Sequence, residues 1–382
     1  MRLGQNLRND SYITSNTILL SSVLQLLEEQ LEKLSRSSFF ADELSDYIAE
    51  LRNTVLRLEQ DIGAATPQLS PDLVAQIVDS IWHATQFLTG TTSNRVPYEV
   101  TYLLREVLLD WNLGDSIVTT SLIQSPDFYC ESVLRAPSEV LKGLPTSGVA
   151  LSKYLVQIGV PEIFQHMPLF CAPLYHELAH YVDQRSRVIK KLLIYREAEV
   201  AEALPATRYF EKPLAPTVVR DHVTEHFCDL FAACYVGCCV TDYISQWSQN
   251  GGPERTHPLP EDRAQLTSDF ISGRQNTLID LLREAVDSED IGFKLIPRYT
   301  LPNVEACFRD VRPARITQLS ELHGLLPAAD AFLKTLLMNP GKFTIYPIGG
   351  VPPGRRVALV NDLVEKSIRN FMISKAWNDS LA

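Results

Sequence analysis

The sequence predicts a mainly α-helical protein with a small β component. Long stretches repeat apolar residues every three to four positions, as amphipathic helices do. Residues 116–123 are rich in β-branched side chains, which is typical of a strand. The chain has 382 residues, of which 45% are hydrophobic and 21% charged, as in ordinary folded domains. We therefore expect a helical (α+β) architecture with more than one domain.

The N-terminal region is predicted to begin with a helical hairpin over residues 17–62. Two apolar stripes repeat at steps of three and four residues, joined by a turn near residues 35–42. The stripes are Leu20, Leu24, Leu27, Leu31 and Leu34, then Leu44, Ile48, Leu51, Val55, Leu58 and Ile62. Such a pair either packs within the chain or serves a homo-oligomer or a regulatory partner.

Two more amphipathic helices complete this region. Ser70 followed by Pro71 is a favourable helix start, and the helix should end near Gly90. The next helix is predicted over residues 97–111. The first domain is therefore predicted to span residues 1–112.

Strand-forming residues open the central region. The strand at residues 116–123 is followed by a possible second one at residues 127–133. Either could offer a free sheet edge to an extended peptide. Residues 135–165 contain several prolines and glycines, which predict irregular structure and short helices.

The motif HELAH carries the clearest chemical signal in the sequence. On a helix, predicted over residues 168–193, His176 and His180 project from one face and can bind one zinc ion together. Glu177 is rotated by about 100° and can reach a water on the metal. This is the HExxH pattern of zinc hydrolases, in which the glutamate is the general base. The alternative is a helix with two ordinary histidines.

A third metal ligand is expected from a second long helix. Catalytic zinc takes three protein ligands and keeps one open position. Glu225 and Asp229 lie four residues apart and therefore share a helical face. Glu225 could coordinate the metal, while Asp229 could accept the second ring N–H of His176. His222 and His226 are alternative third ligands.

The HELAH motif, the pair Glu225 and Asp229, and a third segment together resemble the gluzincin metallopeptidases. The segment THPLPEDR contains His257 and, six residues later, Arg263. It is similar to the His-Pro segment of the CAAX prenyl-endopeptidase and HtpX-like branch. The three motifs occur in that branch's order, over roughly residues 115–270. The resemblance implies a zincin-like metallopeptidase core, predicted here over residues 113–272.

The resemblance also assigns roles. The zinc ligands would be His176, His180 and Glu225, and Glu177 would be the base. Asp229 would support the ligands, and His257 and Arg263 would stabilise the oxyanion or position the third-ligand helix. Tyr181 and Tyr235 are weaker candidates for oxyanion donors.

The chain departs from that branch in two respects. Its long helical N-terminal and C-terminal regions have no counterpart in the family's pattern. Members of the branch are typically membrane-embedded, whereas no stretch of about 18 uncharged apolar residues is present here. Processing of prenylated proteins is therefore not implied. The sequence begins without the pattern of a secretion signal, and its seven cysteines form no CxxC pair. These features predict a cytoplasmic protein with reduced thiols.

The C-terminal region, residues 273–382, is predicted to be helical. Helices are expected over residues 217–247 in the central region and then over residues 275–287, 320–337 and 355–377, with a possible strand at residues 343–348.

The net charge of −11 argues against a nucleic-acid partner.

The function predicted from these observations is zinc-dependent hydrolysis of peptide bonds in a protein or peptide substrate. Glu177 would activate a zinc-bound water. The alternative is a zinc-binding regulatory or sensor protein whose peptidase activity is restrained or lost. A third possibility is an effector in a stress or defence pathway.

Overall fold

The structure is a computed structural model. It describes residues 3–39, 41–64, 66–91, 97–125, 128–133, 153–209, 214–247, 256–288, 293–340 and 351–381. Side chains are described from residue 18 onward, except those of Gln246 and Trp247. Most of the segment at residues 135–165 and the possible strand at residues 343–348 lie outside these ranges.

The described part of the chain is mainly helical and contains a three-stranded sheet, which confirms the predicted mainly helical fold class. The first elements are α1 Leu3–Ser35, α2 Asp42–Ile62, α3 Pro71–Gly90, α4 Tyr98–Asp110, β1 Ser116–Ile123, β2 Tyr129–Val133 and β3 Tyr154–Pro161. The helices that follow are α5 Pro173–Ser186, α6 Val188–Ala203, α7 Pro216–Val236, α8 Cys238–Trp247, α9 Pro260–Ser272, α10 Thr277–Asp287, α11 Glu305–Arg309, α12 Leu319–Met338 and α13 Pro353–Asp379. Short 3-10 helices span Glu162–Phe164, Pro168–Cys171 and Pro205–Tyr209.

The chain divides into two compact units. The first contains Met1–Tyr98, Gly114–Leu122 and Glu131–Gly159. The second contains Glu99–Leu113, Ile123–Cys130 and Val160–Ala382. The division of the sequence into residues 1–112, 113–272 and 273–382 stays a prediction.

The first unit is built on the predicted hairpin. Leu31 of α1 and Leu44 of α2 have no solvent exposure, and both belong to one core with Ile77 of α3. The apolar stripes therefore pack within the chain, which is one of the two outcomes predicted for them. The Ser70 side chain accepts the backbone N–H of Leu73 at 3.3 Å, as the predicted helix start requires.

The sheet has the strand order β1-β3-β2, which makes β1 and β2 its edge strands. The two predicted strands correspond to β1 and β2, whereas β3 was not predicted. A strand that is buried on both faces need not alternate between apolar and polar residues, so it lacks the usual sequence signal. The burial of β3 from Leu155 to Pro161 agrees with this explanation.

Two predicted long helices are each broken in the structure. The helix of the HELAH motif ends at Ser186, and Arg187 adopts φ 60° before α6 begins. The Asp183 carboxylate accepts the backbone N–H of Ile189 at 2.8 Å and so caps α6. The second helix ends at Val236, because Gly237 adopts φ 52° and a side chain there would lie 2.5 Å from the Tyr299 hydroxyl.

The second unit is organised around α7, which packs against α5, α6, α9 and α12. Nearly all of its C-terminal half is buried, and Phe231 packs against Trp111 with the ring centroids 5.1 Å apart and the rings tilted by 37°. This packing fixes the positions of the polar residues of α7 inside the unit. Among the described helices, none has the length and apolar character that a membrane span requires.

Candidate metal centre

The facing sides of α5 and α7 bring three polar side chains together. The Nε2 atom of His176 lies 3.4 Å from Glu225 Oε2, and Nε2 of His180 lies 3.5 Å from Glu225 Oε1. The two imidazole rings have their centroids 5.0 Å apart. One carboxylate therefore contacts the same ring nitrogen of both histidines.

Packing of α5 fixes the direction of these histidines. Pro173 occupies the first helical turn, where its missing N–H costs nothing. Leu174, Leu178 and Val182 have no solvent exposure, which anchors the opposite side of the helix in the core. Rotation of α5 is then restricted, so His176 and His180 both face α7.

Asp229 and Arg263 form a buried ion pair behind His176. The Nε and Nη2 groups of Arg263 each donate to the Asp229 carboxylate at 2.8 Å, and His176 Nδ1 lies 2.9 Å from Asp229 Oδ1. Nη2 of Arg263 also lies 3.4 Å from Glu225 Oε2. Helix α9, which was not predicted, supplies this arginine. Of the two roles implied for Arg263, its contacts favour positioning of the α7 carboxylates.

His257 lies at the exposed side of the cluster. Its Nε2 atom is 3.7 Å from Glu225 Oε1, and more than half of its side chain, 53%, is exposed. Its Nδ1 atom lies 2.9 Å from the Thr256 hydroxyl. An exposed imidazole next to Glu225 can meet a ligand that enters from solvent.

Glu177 is largely buried and contacts the backbone of Cys130. Its carboxylate accepts a hydrogen bond from the backbone N–H of Cys130 in the edge strand β2. Burial raises the pKa of Glu177, which the nearby positive charge of His176 partly offsets. A carboxylate with a raised pKa is suited to exchange protons.

The charges within the cluster are balanced. Burial opposes the charged forms, yet hydrogen bonds with Asp229 and Glu225 raise the pKa of His176 to about 10. Burial likewise opposes ionisation of Glu225, but its hydrogen bond to His176 lowers its pKa to about 2. Burial and then the charge of His176 lower the pKa of His180 to about 4. Binding of a metal ion would displace the proton from His176.

Cys228 is a member of the cluster that the sequence analysis missed. Its sulfur lies 3.4 Å from His180 Nδ1, and it has no solvent exposure. Ligand atoms of His176, His180 and Cys228 all lie within 4.8 Å of one another, so this group could hold a metal ion. The spacing gave a usable signal, because Cys228 follows Glu225 by three residues and therefore shares its helical face.

The rival ligands on α7 are not part of this group. His222 and His226 are both fully buried. Among the described residues, neither ring nitrogen of His226 has a hydrogen-bond partner, and burial lowers its pKa to about 4. Tyr235 donates to Asp110 at 3.3 Å, and the Tyr181 oxygen accepts from Arg185 at 3.0 Å, so both hydroxyls have other partners.

No family model, curated protein or solved structure matches this chain. The resemblance to gluzincins therefore stays a prediction that depends on the three sequence motifs.

Proposed function

We propose that this protein is a zinc-dependent endopeptidase with a zincin-like core that hydrolyses peptide bonds of a protein or peptide substrate. The observation that supports this most strongly is the Glu225 carboxylate within 3.5 Å of Nε2 of both His176 and His180. Two imidazoles, one carboxylate and an open position form a common ligand set for catalytic zinc.

The chemistry of the side chains fits this ligand set. His176 Nδ1 is held by a buried carboxylate, which fixes the ring so that Nε2 faces Glu225. Cys228 is the alternative donor, but its sulfur lies beside Nδ1 of His180 rather than Nε2. Burial also raises the pKa of its thiol, which disfavours the thiolate that a metal requires. We therefore favour Glu225 as the third ligand.

The residues around the site would each have a separate role in hydrolysis. Bound zinc would polarise the scissile carbonyl and make water more acidic. Glu177 would take a proton from the attacking water and give it to the leaving amine. His257, beside Glu225 and open to solvent, would donate a hydrogen bond to the developing oxyanion. Arg263 would hold Glu225 and Asp229 in place from behind.

One contact favours the second candidate function, a zinc-binding regulatory protein whose peptidase activity is restrained. The Glu177 carboxylate already accepts the N–H of Cys130 in the edge strand β2. A base that is engaged by the backbone is less available to a water molecule. In this alternative, a partner or signal would move β2 away from Glu177 before the enzyme could act.

The proposal is tested with zinc-loaded protein and its Glu177→Gln variant. Both are incubated with a mixture of proteins, and new N-termini are identified by mass spectrometry. We expect the native protein to cleave selected bonds and the variant to retain zinc but cleave them at least about 100-fold more slowly. Glu162→Gln, at an exposed position, is the control and should cleave normally.

Two results would count against the proposal. Equal cleavage by native protein and Glu177→Gln would show that Glu177 is not the base. Stoichiometric zinc binding without any cleavage would favour the regulatory alternative.

A further inference from the structure

The two histidines on α5 differ in the partner of their second ring nitrogen. Nδ1 of His176 lies 2.9 Å from the Asp229 carboxylate. Nδ1 of His180 lies 3.4 Å from the sulfur of Cys228. The two partners are adjacent on α7, yet one is a carboxylate and the other a thiol.

The tautomer of His180 determines which of its nitrogens can bind a metal. A neutral imidazole carries one N–H group and one nitrogen with a free lone pair. For Nε2, next to Glu225, to carry the lone pair, the proton must lie on Nδ1. Nδ1 faces the fully buried sulfur of Cys228, and an N–H that points at a buried surface needs an acceptor there. The sulfur of Cys228 is in the right place to accept it.

We propose that Cys228 is a positioning residue for His180: its sulfur accepts the Nδ1–H hydrogen bond and keeps Nε2 free to bind the metal. The inference rests on the metal site of the proposed function. It gives the thiol a role as a hydrogen-bond acceptor rather than as a metal ligand.

The position of Cys228 supports this assignment. It lies between Glu225 and Asp229 in sequence, and it is fully buried where α7 packs on α5. A cysteine in this place cannot move away from His180 without disturbing that contact. The hydrogen bond of His180 to a neutral sulfur should be weaker than that of His176 to a carboxylate.

The experiment compares Cys228→Ala and Cys228→Ser with the native protein. Zinc dissociation constants are measured by competition with a chelator, and ¹⁵N chemical shifts of the imidazole rings are measured in the metal-free state. We expect Cys228→Ala to raise the zinc dissociation constant about 10-fold and to reduce the share of the Nδ1–H tautomer of His180. Cys228→Ser should recover part of the zinc affinity and part of the Nδ1–H tautomer, since its hydroxyl oxygen is also an acceptor.

Cys234→Ala provides the matched control. Cys234 is also fully buried on α7, so its substitution removes the same atoms from a similar environment. We expect this variant to keep the native zinc affinity and the native tautomer. If Cys228→Ala does not fold, Cys228→Ser and the ring shifts still test the inference.

Three outcomes would overturn the inference. Unchanged affinity and tautomer in Cys228→Ala would show that the sulfur has no such role. If Cys228→Ser had the same zinc affinity and tautomer as Cys228→Ala, Cys228 would act on His180 through packing and not through a hydrogen bond. A thiolate-to-cobalt charge-transfer band in Co²⁺-loaded native protein, lost in Cys228→Ala, would make Cys228 a ligand.

None of these measurements uses cleavage, so their results do not depend on whether the protein is a peptidase. Full zinc binding by His176→Ala would refute the metal site itself, whatever the role of Cys228.

Discussion

Asp229 connects a histidine and an arginine inside the second unit. It has no solvent exposure and accepts hydrogen bonds from both Arg263 and His176. Burial opposes its ionisation, but the charge and hydrogen bonds of Arg263 hold the pKa of Asp229 well below its usual range. The anionic form is therefore maintained, and the guanidinium of Arg263 depends on it for compensation.

Replacing Asp229 by Asn should cost both stability and metal affinity. The buried Arg263 would lose its two hydrogen bonds to the charged Asp229 and keep only Glu225, 3.4 Å from its Nη2, as a counter-charge. Breaking a buried pair costs up to about 3–5 kcal/mol. His176 would lose a carboxylate partner, which lowers metal affinity by about 10–100-fold. Denaturant unfolding and zinc competition measure the two effects.

The control for this prediction is Asp221→Asn on the same helix. Asp221 pairs with the exposed Arg220 at 2.8 Å, and surface pairs contribute less than about 1 kcal/mol. Similar losses in both variants would contradict a special role for the buried pair.

The sequence best predicted how residues a few positions apart on the same helix are arranged. Helical spacing predicted that His176 and His180 share one face and that Glu225 and Asp229 share another. The contact of Cys228 with His180 depends on how α7 packs against α5, and the contact of Cys130 with Glu177 depends on the path of β2. Neither relation is encoded in spacing along one helix, so both required the structure.

At the scale of helices and strands, periodicity predicted most helices but not their breaks. The end of α5 depends on Arg187 in a left-handed conformation, which an arginine rarely adopts. The end of α7 depends on Gly237, where the Tyr299 hydroxyl leaves no space for a side chain. The break at Gly237 depends on a tertiary contact with Tyr299, which an apolar pattern along the helix cannot reveal.

Gly324 on α12 provides a test of close packing between elements. A Cβ atom at this position would lie 2.1 Å from the backbone oxygen of Thr300. The backbone N–H of Thr300 donates to Ser320 at 2.9 Å, so this segment cannot move freely. We expect Gly324→Ala to lower the free energy of unfolding by about 1–3 kcal/mol.

Gly354→Ala is the matched comparison for this substitution. Gly354 is also helical, in α13, and nothing lies within 4 Å of the Cβ atom it would gain. The better helix propensity of Ala should make this variant neutral or slightly more stable. Equal denaturant midpoints for the two variants would show that the close approach at Gly324 is unimportant.

At the scale of the whole molecule, the stability should depend on pH through a buried neutral histidine. His323 is 2% exposed, and burial lowers its pKa from 6.5 to about 3. Between these values the unfolded chain binds a proton that the folded chain does not. Stability is therefore full above about pH 6.5 and decreases as the pH falls towards 3.

Replacing His323 by Phe should reduce this dependence, because the ring is kept while the titrating group is removed. The free energy of unfolding measured from pH 7 to pH 4 should then vary less steeply than in the native protein. His83, whose side chain is 54% exposed, provides the control variant His83→Gln, for which we expect the native slope. A native slope in His323→Phe would contradict the assignment.

The predicted protein substrate and cytoplasmic location are also properties of the whole molecule, and both stay predictions. The metal site can be tested more directly, because its donors differ in element as well as in position. Glu225 would contribute oxygen, whereas Cys228 would contribute sulfur, and a zinc–sulfur distance of about 2.3 Å is longer than a bond to nitrogen or oxygen.

The most direct measurement is zinc K-edge X-ray absorption on stoichiometrically loaded protein. We predict one zinc per chain, scattering from two imidazoles, only nitrogen and oxygen in the first shell, and loss of tight binding in Glu225→Ala. A sulfur shell at about 2.3 Å, or zinc binding that Glu225→Ala leaves unchanged, would contradict a site formed by His176, His180 and Glu225.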